Sequence, residues 1–178
     1  RHRDVTYIID TSGSMGGESI TQAKKALRQA LTRLSIADRF NIIEFNSTVN
    51  SLFKKTVVAT TEAIDEADEF IAALKAQGGT EMMPALEMAL GSTDEGNNEG
   101  LQQIVFITDG AVEQEEKLFK LINNQLGERR LFTVAIGSAP NAYFMRKAAQ
   151  FGRGSYTFIG DVEEVSEKMG QLFSKMEQ

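Results

Sequence analysis

The feature that most constrains this chain is an apolar run that stops abruptly at residue 10. Val5, Tyr7, Ile8 and Ile9 show no clean polar alternation, the pattern of a strand covered on both faces. Asp10, Ser12 and Ser14 then follow at alternate positions, with Gly13 between the serines and Gly16 and Gly17 behind them. The strand therefore delivers one carboxylate and two hydroxyls into a loop whose glycines let the backbone turn away. Hard oxygen donors this dense suit Mg2+ or Mn2+, with Ca2+ also compatible. A zinc site would want His or Cys, and neither stands here. Taken alone, the same residues would serve a turn and a helix cap equally well, so the remainder of the chain has to decide.

Downstream, apolar strands alternate with amphipathic helices. Ile20, Ala23, Leu27, Ala30, Leu31 and Leu34 recur at helical spacing. Residues 40–45 read as a strand, followed by a turn at Asn46 and Ser47. Residues 49–53 read as a short returning strand, antiparallel because the connection is so short. Thr60 or Thr61 caps a second helix with Ile64, Ala67, Ile71 and Leu74 on its stripe. Gly78, Gly79 and Thr80 break the chain before a third helix with Pro84 in its first turn. Residues 94–100 are expected to form a polar, mobile loop. Residues 104–107 form the most apolar strand and end in Thr108, Asp109 and Gly110. Leu118, Leu121, Ile122 and Leu126 mark another helix, residues 131–136 a strand, and Phe144, Met145 and Ala148 a short helix. Residues 155–159 form the last strand. Asp161 and Glu164 open a final helix facing inward through Val165, Met169, Leu172, Phe173 and Met176. The expected architecture is α/β: a doubly wound, Rossmann-like open sheet, mostly parallel. It has about six strands, one of them a short antiparallel edge strand, and helices on both faces. Residues 1–178 read as one domain, excised from a longer protein because the chain starts at Arg1 and enters a strand almost at once.

The balance of 25 acidic against 19 basic residues, a net charge of −6, argues against a nucleic-acid partner. No apolar run is long enough to insert in a membrane. Cysteine is absent, which excludes disulfides and thiol chemistry.

In an open α/β sheet, ligands bind beyond the carboxyl ends of the strands, where the winding reverses. Asp10 and Asp109 each end a strongly apolar strand at that edge, and Thr80 lies in a loop at the same end. If the two strands are neighbours, Asp10, Ser12, Ser14, Thr80 and Asp109 share one cleft. A divalent cation would remove the repulsion between the two carboxylates. This ordered set resembles the metal-ion-dependent adhesion site of von Willebrand factor type A domains: Asp-x-Ser-x-Ser, then a distant Thr, then a distant Asp at a strand end. Within that family the runs Asp-Thr-Ser-Gly-Ser-Met, Gln-Ala-Lys and Gly-Gly-Thr look most like the inter-alpha-trypsin inhibitor heavy-chain type and its bacterial surface-protein relatives. The resemblance implies that Ser12, Ser14 and Thr80 touch the metal through hydroxyls, while Asp10 and Asp109 act largely through water. It also implies an open coordination position for a Glu or Asp carboxylate of a partner protein, a monomeric domain within a larger chain, and a parent outside the cell or at its surface.

An enzyme is the rival class. Asp10 at a strand end faintly resembles the aspartyl nucleophile of Mg2+-dependent phosphatases, which usually carry a second Asp where this chain has Ser12. Their late Lys has only Lys147 as a candidate. An aspartic protease would want Asp-Thr/Ser-Gly, and a phosphate-loop Gly-Lys-Ser/Thr is absent. His2 reads as solvated. Arg129, Arg130, Arg146, Lys147 and Arg153 read as solvated faces. Met82, Met83 and Met88 read as core or rim packing, and Glu81 as an exposed first-turn residue. A binding module fits better than a hydrolase.

Overall fold

The computed structural model describes residues 2–91, 100–110, 112–137 and 142–178. The loop expected at 94–100, Gly100 apart, lies outside these residues. The central strands are β1 (Arg3–Asp10), β2 (Arg39–Phe45), β5 (Leu101–Thr108), β6 (Arg130–Ile136) and β7 (Arg153–Ile159). All five run parallel in the order β2-β1-β5-β6-β7. Two short strands, β3 (Val49–Ser51) and β4 (Val57–Val58), pair antiparallel with opposite ends of β2. The sheet thus has seven strands. The added one is β4, two residues long and too short to leave a periodic signal.

The helices are α1 (Glu18–Thr32), α2 (Thr61–Ala73), α3 (Met82–Gly91), α4 (Glu115–Gln125), α5 (Tyr143–Phe151) and α6 (Val165–Met176). They divide cleanly between the two faces of the sheet. Tyr7, Ile9, Ile42, Val105, Ile107 and Val134 pack under α1, α2 and α6, and Ile8, Ile43, Phe45, Ile104 and Phe106 pack under α3, α4 and α5. Burial on both sides explains why β1 and β5 carry near-continuous apolar runs. Each fully buried Ile or Phe in them contributes about 1.5–3 kcal/mol.

Local rules set the helix ends. Thr60 caps α2, its hydroxyl accepting from the Ala63 amide at 3.1 Å, and the Lys24 ammonium donates to the carbonyls of Ala72 and Leu74 at that helix's other end. Asp161 accepts from the Glu163 amide in the helical turn that leads into α6. Arg129, expected on a solvated face, is buried instead. Its guanidinium donates to the Gln125 carbonyl at the end of α4, and a charge there finds both a carbonyl and the negative end of the helix dipole. Met82 is core as expected, but Met88 is 43% exposed.

The winding places the functional edge. From β1 the chain passes to β2 on one side, and later returns to β5 on β1's other side. The reversal lies between β1 and β5, so the crevice at their carboxyl ends falls between Asp10 and the pair Thr108 and Asp109.

Candidate metal centre

Asp10 is the last residue of β1 and is fully buried. Its Oδ1 accepts from the Ser12 amide at 2.8 Å, and its Oδ2 accepts from the Thr108 hydroxyl at 2.6 Å. β1 and β5 are paired with Ile9 opposite Ile107, so Asp10 and Thr108 meet across the strand ends. Burial pushes the Asp10 carboxyl above the ordinary carboxylate range, the donors on Ser12 and Thr108 pull it back, and the charge of Asp109 adds a further upward push. Asp109, one residue past Thr108, is itself buried.

The loop after β1 is held from both ends. Thr11 donates its amide to the Phe45 carbonyl at 2.9 Å and its hydroxyl to Glu44 Oε2 at 2.8 Å. Met15, fully buried, anchors the far side of the helical turn Gly13–Met15 in the core. Between these anchors the Ser12 and Ser14 hydroxyl oxygens lie 3.1 Å apart, Ser12 buried and Ser14 exposed.

Thr80 arrives from the connection between α2 and α3, with an exposed side chain. That connection lies against the first loop: the Gly13 amide donates to the Gly78 carbonyl at 3.0 Å, and the Gln77 amide to the Thr11 carbonyl at 2.9 Å. A side chain at position 13 would stand 3.3 Å from the Gly78 carbonyl, a tight approach that glycine avoids. Contacts thus join Asp10, Ser12 and Ser14 directly, bring in Asp109 through Thr108, and bring in Thr80 through Gly13 and Gly78.

The donor set fits a small hard cation. Two ligands at adjacent corners of an Mg2+ octahedron, each about 2.1 Å from the metal, are separated by about 3.0 Å. The Ser12 and Ser14 hydroxyls, hydrogen-bonded to each other at 3.1 Å, already stand close to that edge length. Among the described residues no group of three or more His, Cys, Asp or Glu side chains could hold a metal. Lys147, the candidate for a phosphatase lysine, donates its ammonium to the Tyr143 hydroxyl at 2.8 Å on the solvent-facing side of α5. Glu81 is exposed, as expected, and Met83 packs partly into the core beneath it.

Sequence reading missed Thr108, Glu44, Asn46 and Ser47. Thr108 had a signal, a hydroxyl immediately before a strand-end Asp. The other three act across long sequence separations and left none.

An open, parallel α/β sheet with an oxygen-lined crevice at its switch point defines the class. A family model for the von Willebrand factor type A domain matches residues 3–158, and the chain belongs to that family, which commonly mediates protein–protein interaction. It is 30% identical over 169 residues to a von Willebrand factor A domain-containing protein of Dictyostelium discoideum, covering 94% of this chain and 18% of that protein. It is 32% identical over 158 residues to inter alpha-trypsin inhibitor heavy chain 4 of Mus musculus, covering 83% of this chain and 17% of that one. Among solved structures, the von Willebrand factor type A protein from Catenulispora acidiphila aligns at a TM-score of 0.86 and 23% identity, over 98% of this chain and 42% of its own. The conserved hypothetical protein BatB from Bacteroides thetaiotaomicron aligns at 0.75 and 17% identity, over 98% of each. The structural likenesses carry the fold. The chain spans a fifth or less of the length of the curated relatives it matches. Among the described residues no helix is long and apolar enough to cross a membrane.

Proposed function

We propose that this domain is a metal-dependent protein-binding module. In this reading Ser12, Ser14 and Thr80 hold one Mg2+ or Mn2+ through their hydroxyls, and Asp10 and Asp109 hold its water. The carrying observation is the pair of hydroxyl oxygens 3.1 Å apart above a fully buried carboxylate. Bound there, the cation supplies an electrophilic open position for a Glu or Asp oxygen of a partner protein. The chain's own residues do the rest. Thr108 and the Ser12 amide orient the Asp10 carboxylate, Met15 and Thr11 fix the serine loop, and the contact between Gly13 and Gly78 sets the third loop beside it. An acidic domain gains in this way a means of holding an acidic ligand that its net charge of −6 would repel. The parent protein would present the domain outside the cell or at its surface.

The test is calorimetric titration of the chain and of Asp10→Ala with MgCl2. One Mg2+ bound by the chain and none by the variant supports the reading. Equal heats from both proteins, or none from either, would remove it.

A further inference from the structure

The turn between β2 and β3 looked in sequence like an ordinary hairpin connection. In the structure it grips the third loop of the site. The Ser47 hydroxyl accepts from the Gly79 amide at 2.7 Å, and the Asn46 carbonyl accepts from the Glu81 amide at 2.7 Å. These are the residues immediately before and after Thr80, so the turn brackets Thr80 on both sides. The turn is in its own right tied to the first loop, because the Asn46 Nδ2 donates to the Thr11 hydroxyl at 3.2 Å. Its shape is fixed by the Asn46 Oδ1, which accepts from the Thr48 amide at 3.0 Å. Gly78, beside this grip, has φ of 74°, and a side chain there would stand 2.5 Å from the Ser47 hydroxyl. Little room remains for the loop to shift toward the turn.

This arrangement bears on which cation the rim accepts. Mg2+ requires near-ideal octahedral geometry at about 2.0–2.1 Å, whereas Ca2+ takes more ligands at about 2.3–2.6 Å in a flexible shell. Selection between them depends on whether the ligand-bearing loops can move apart. We propose that Ser47 is a specificity-determining positioning residue, which favours Mg2+ over Ca2+ by holding the Thr80 loop against the Ser12 and Ser14 loop. The proposal rests on the metal-binding reading above and adds a residue that does not touch the metal. Removing the Ser47 hydroxyl releases the Gly79 amide and lets Thr80 move outward. Mg2+ loses a ligand at its required distance, and Ca2+ tolerates the change.

The experiment titrates the chain, Ser47→Ala and Ser47→Thr separately with MgCl2 and CaCl2, and melts each protein in its metal-free state. Ser47→Ala is expected to weaken Mg2+ binding about 10- to 100-fold, the usual effect of removing a group that orients a metal ligand. Ca2+ binding falls by less, so the ratio of the two affinities drops, and Ser47→Thr, which keeps a hydroxyl, restores it. Because Ser47 is exposed, its metal-free melting temperature should move by no more than about 2 °C. If the chain binds Mg2+ and all three proteins show the same ratio, the role of Ser47 is overturned while the metal site stands. If the chain binds neither cation, the underlying reading fails and takes this one with it.

Discussion

Two buried aspartates sit at opposite ends of the same sheet, and their surroundings differ most in the charges beside them. Asp38, at the amino edge, is 5% exposed and lies 3.6 Å from the Arg3 guanidinium. It also accepts from the amides of Arg3 at 2.9 Å and Ser35 at 3.0 Å. Asp10, at the carboxyl edge, is more deeply buried and accepts from one amide and one hydroxyl. No Lys or Arg pairs with it among the described residues, and the carboxylate of Asp109 stands nearby. A buried charge without a partner is costly. The fold answers that cost with the Arg3 guanidinium at one end, and at the other with donors from Ser12 and Thr108 alone among the described residues, where the proposed metal would add a cation.

The comparison breaks most visibly through Asp38. Asp38→Ala leaves the buried Arg3 guanidinium with only the Arg33 carbonyl to accept from it among the described residues, and removal of one partner of a buried pair costs about 3–5 kcal/mol. Urea denaturation should show a loss of that size; a loss below about 1 kcal/mol would mean that the amino-edge pair is not what satisfies the charge there. A smaller effect is expected at the carboxyl edge from Gly78→Ala. Its left-handed backbone costs a non-glycine residue about 1–2 kcal/mol, and the new methyl collides with Ser47. Thermal melting reports the strain, and an unchanged melting temperature would show that the loop relaxes freely.

The smallest effect tests the sign of the Asp10 environment. Its carboxyl is raised above the ordinary value of 3.8 in the fold. Its contribution to stability is therefore whole below that value and lost as pH rises past it. In chelator, Asp10→Asn should melt higher than the unaltered chain at neutral pH, and the gap should narrow as pH falls through the raised value and be closed by about pH 4. A variant that melts lower than the unaltered chain throughout would place the two aspartates in the same category.

Much of this was legible because the informative residues are local. The strands of the core announce themselves through apolar runs that few other structures need. That Asp10 and Asp109 lie at the same edge of the sheet was readable because each ends such a run. Thr108 was not, since a threonine in a strand first signals β propensity. Arg129 looked solvated beside Arg130, and only the end of α4 in space explains its burial. Asn46 and Ser47 acquire their role from Thr11, Gly79 and Glu81, contacts between residues more than 30 positions apart that one sequence leaves unpaired. The strand β4 was missed because two residues carry no period.

The central claim is that a cation occupies the rim above Asp10. A crystal of the chain grown with MnCl2 and measured at a wavelength where manganese scatters anomalously tests it most directly. One strong anomalous peak is expected in contact with the Ser12, Ser14 and Thr80 hydroxyls, with Asp10 and Asp109 reaching it through water. An empty rim in a well-ordered map, or a peak only elsewhere on the chain, would contradict it.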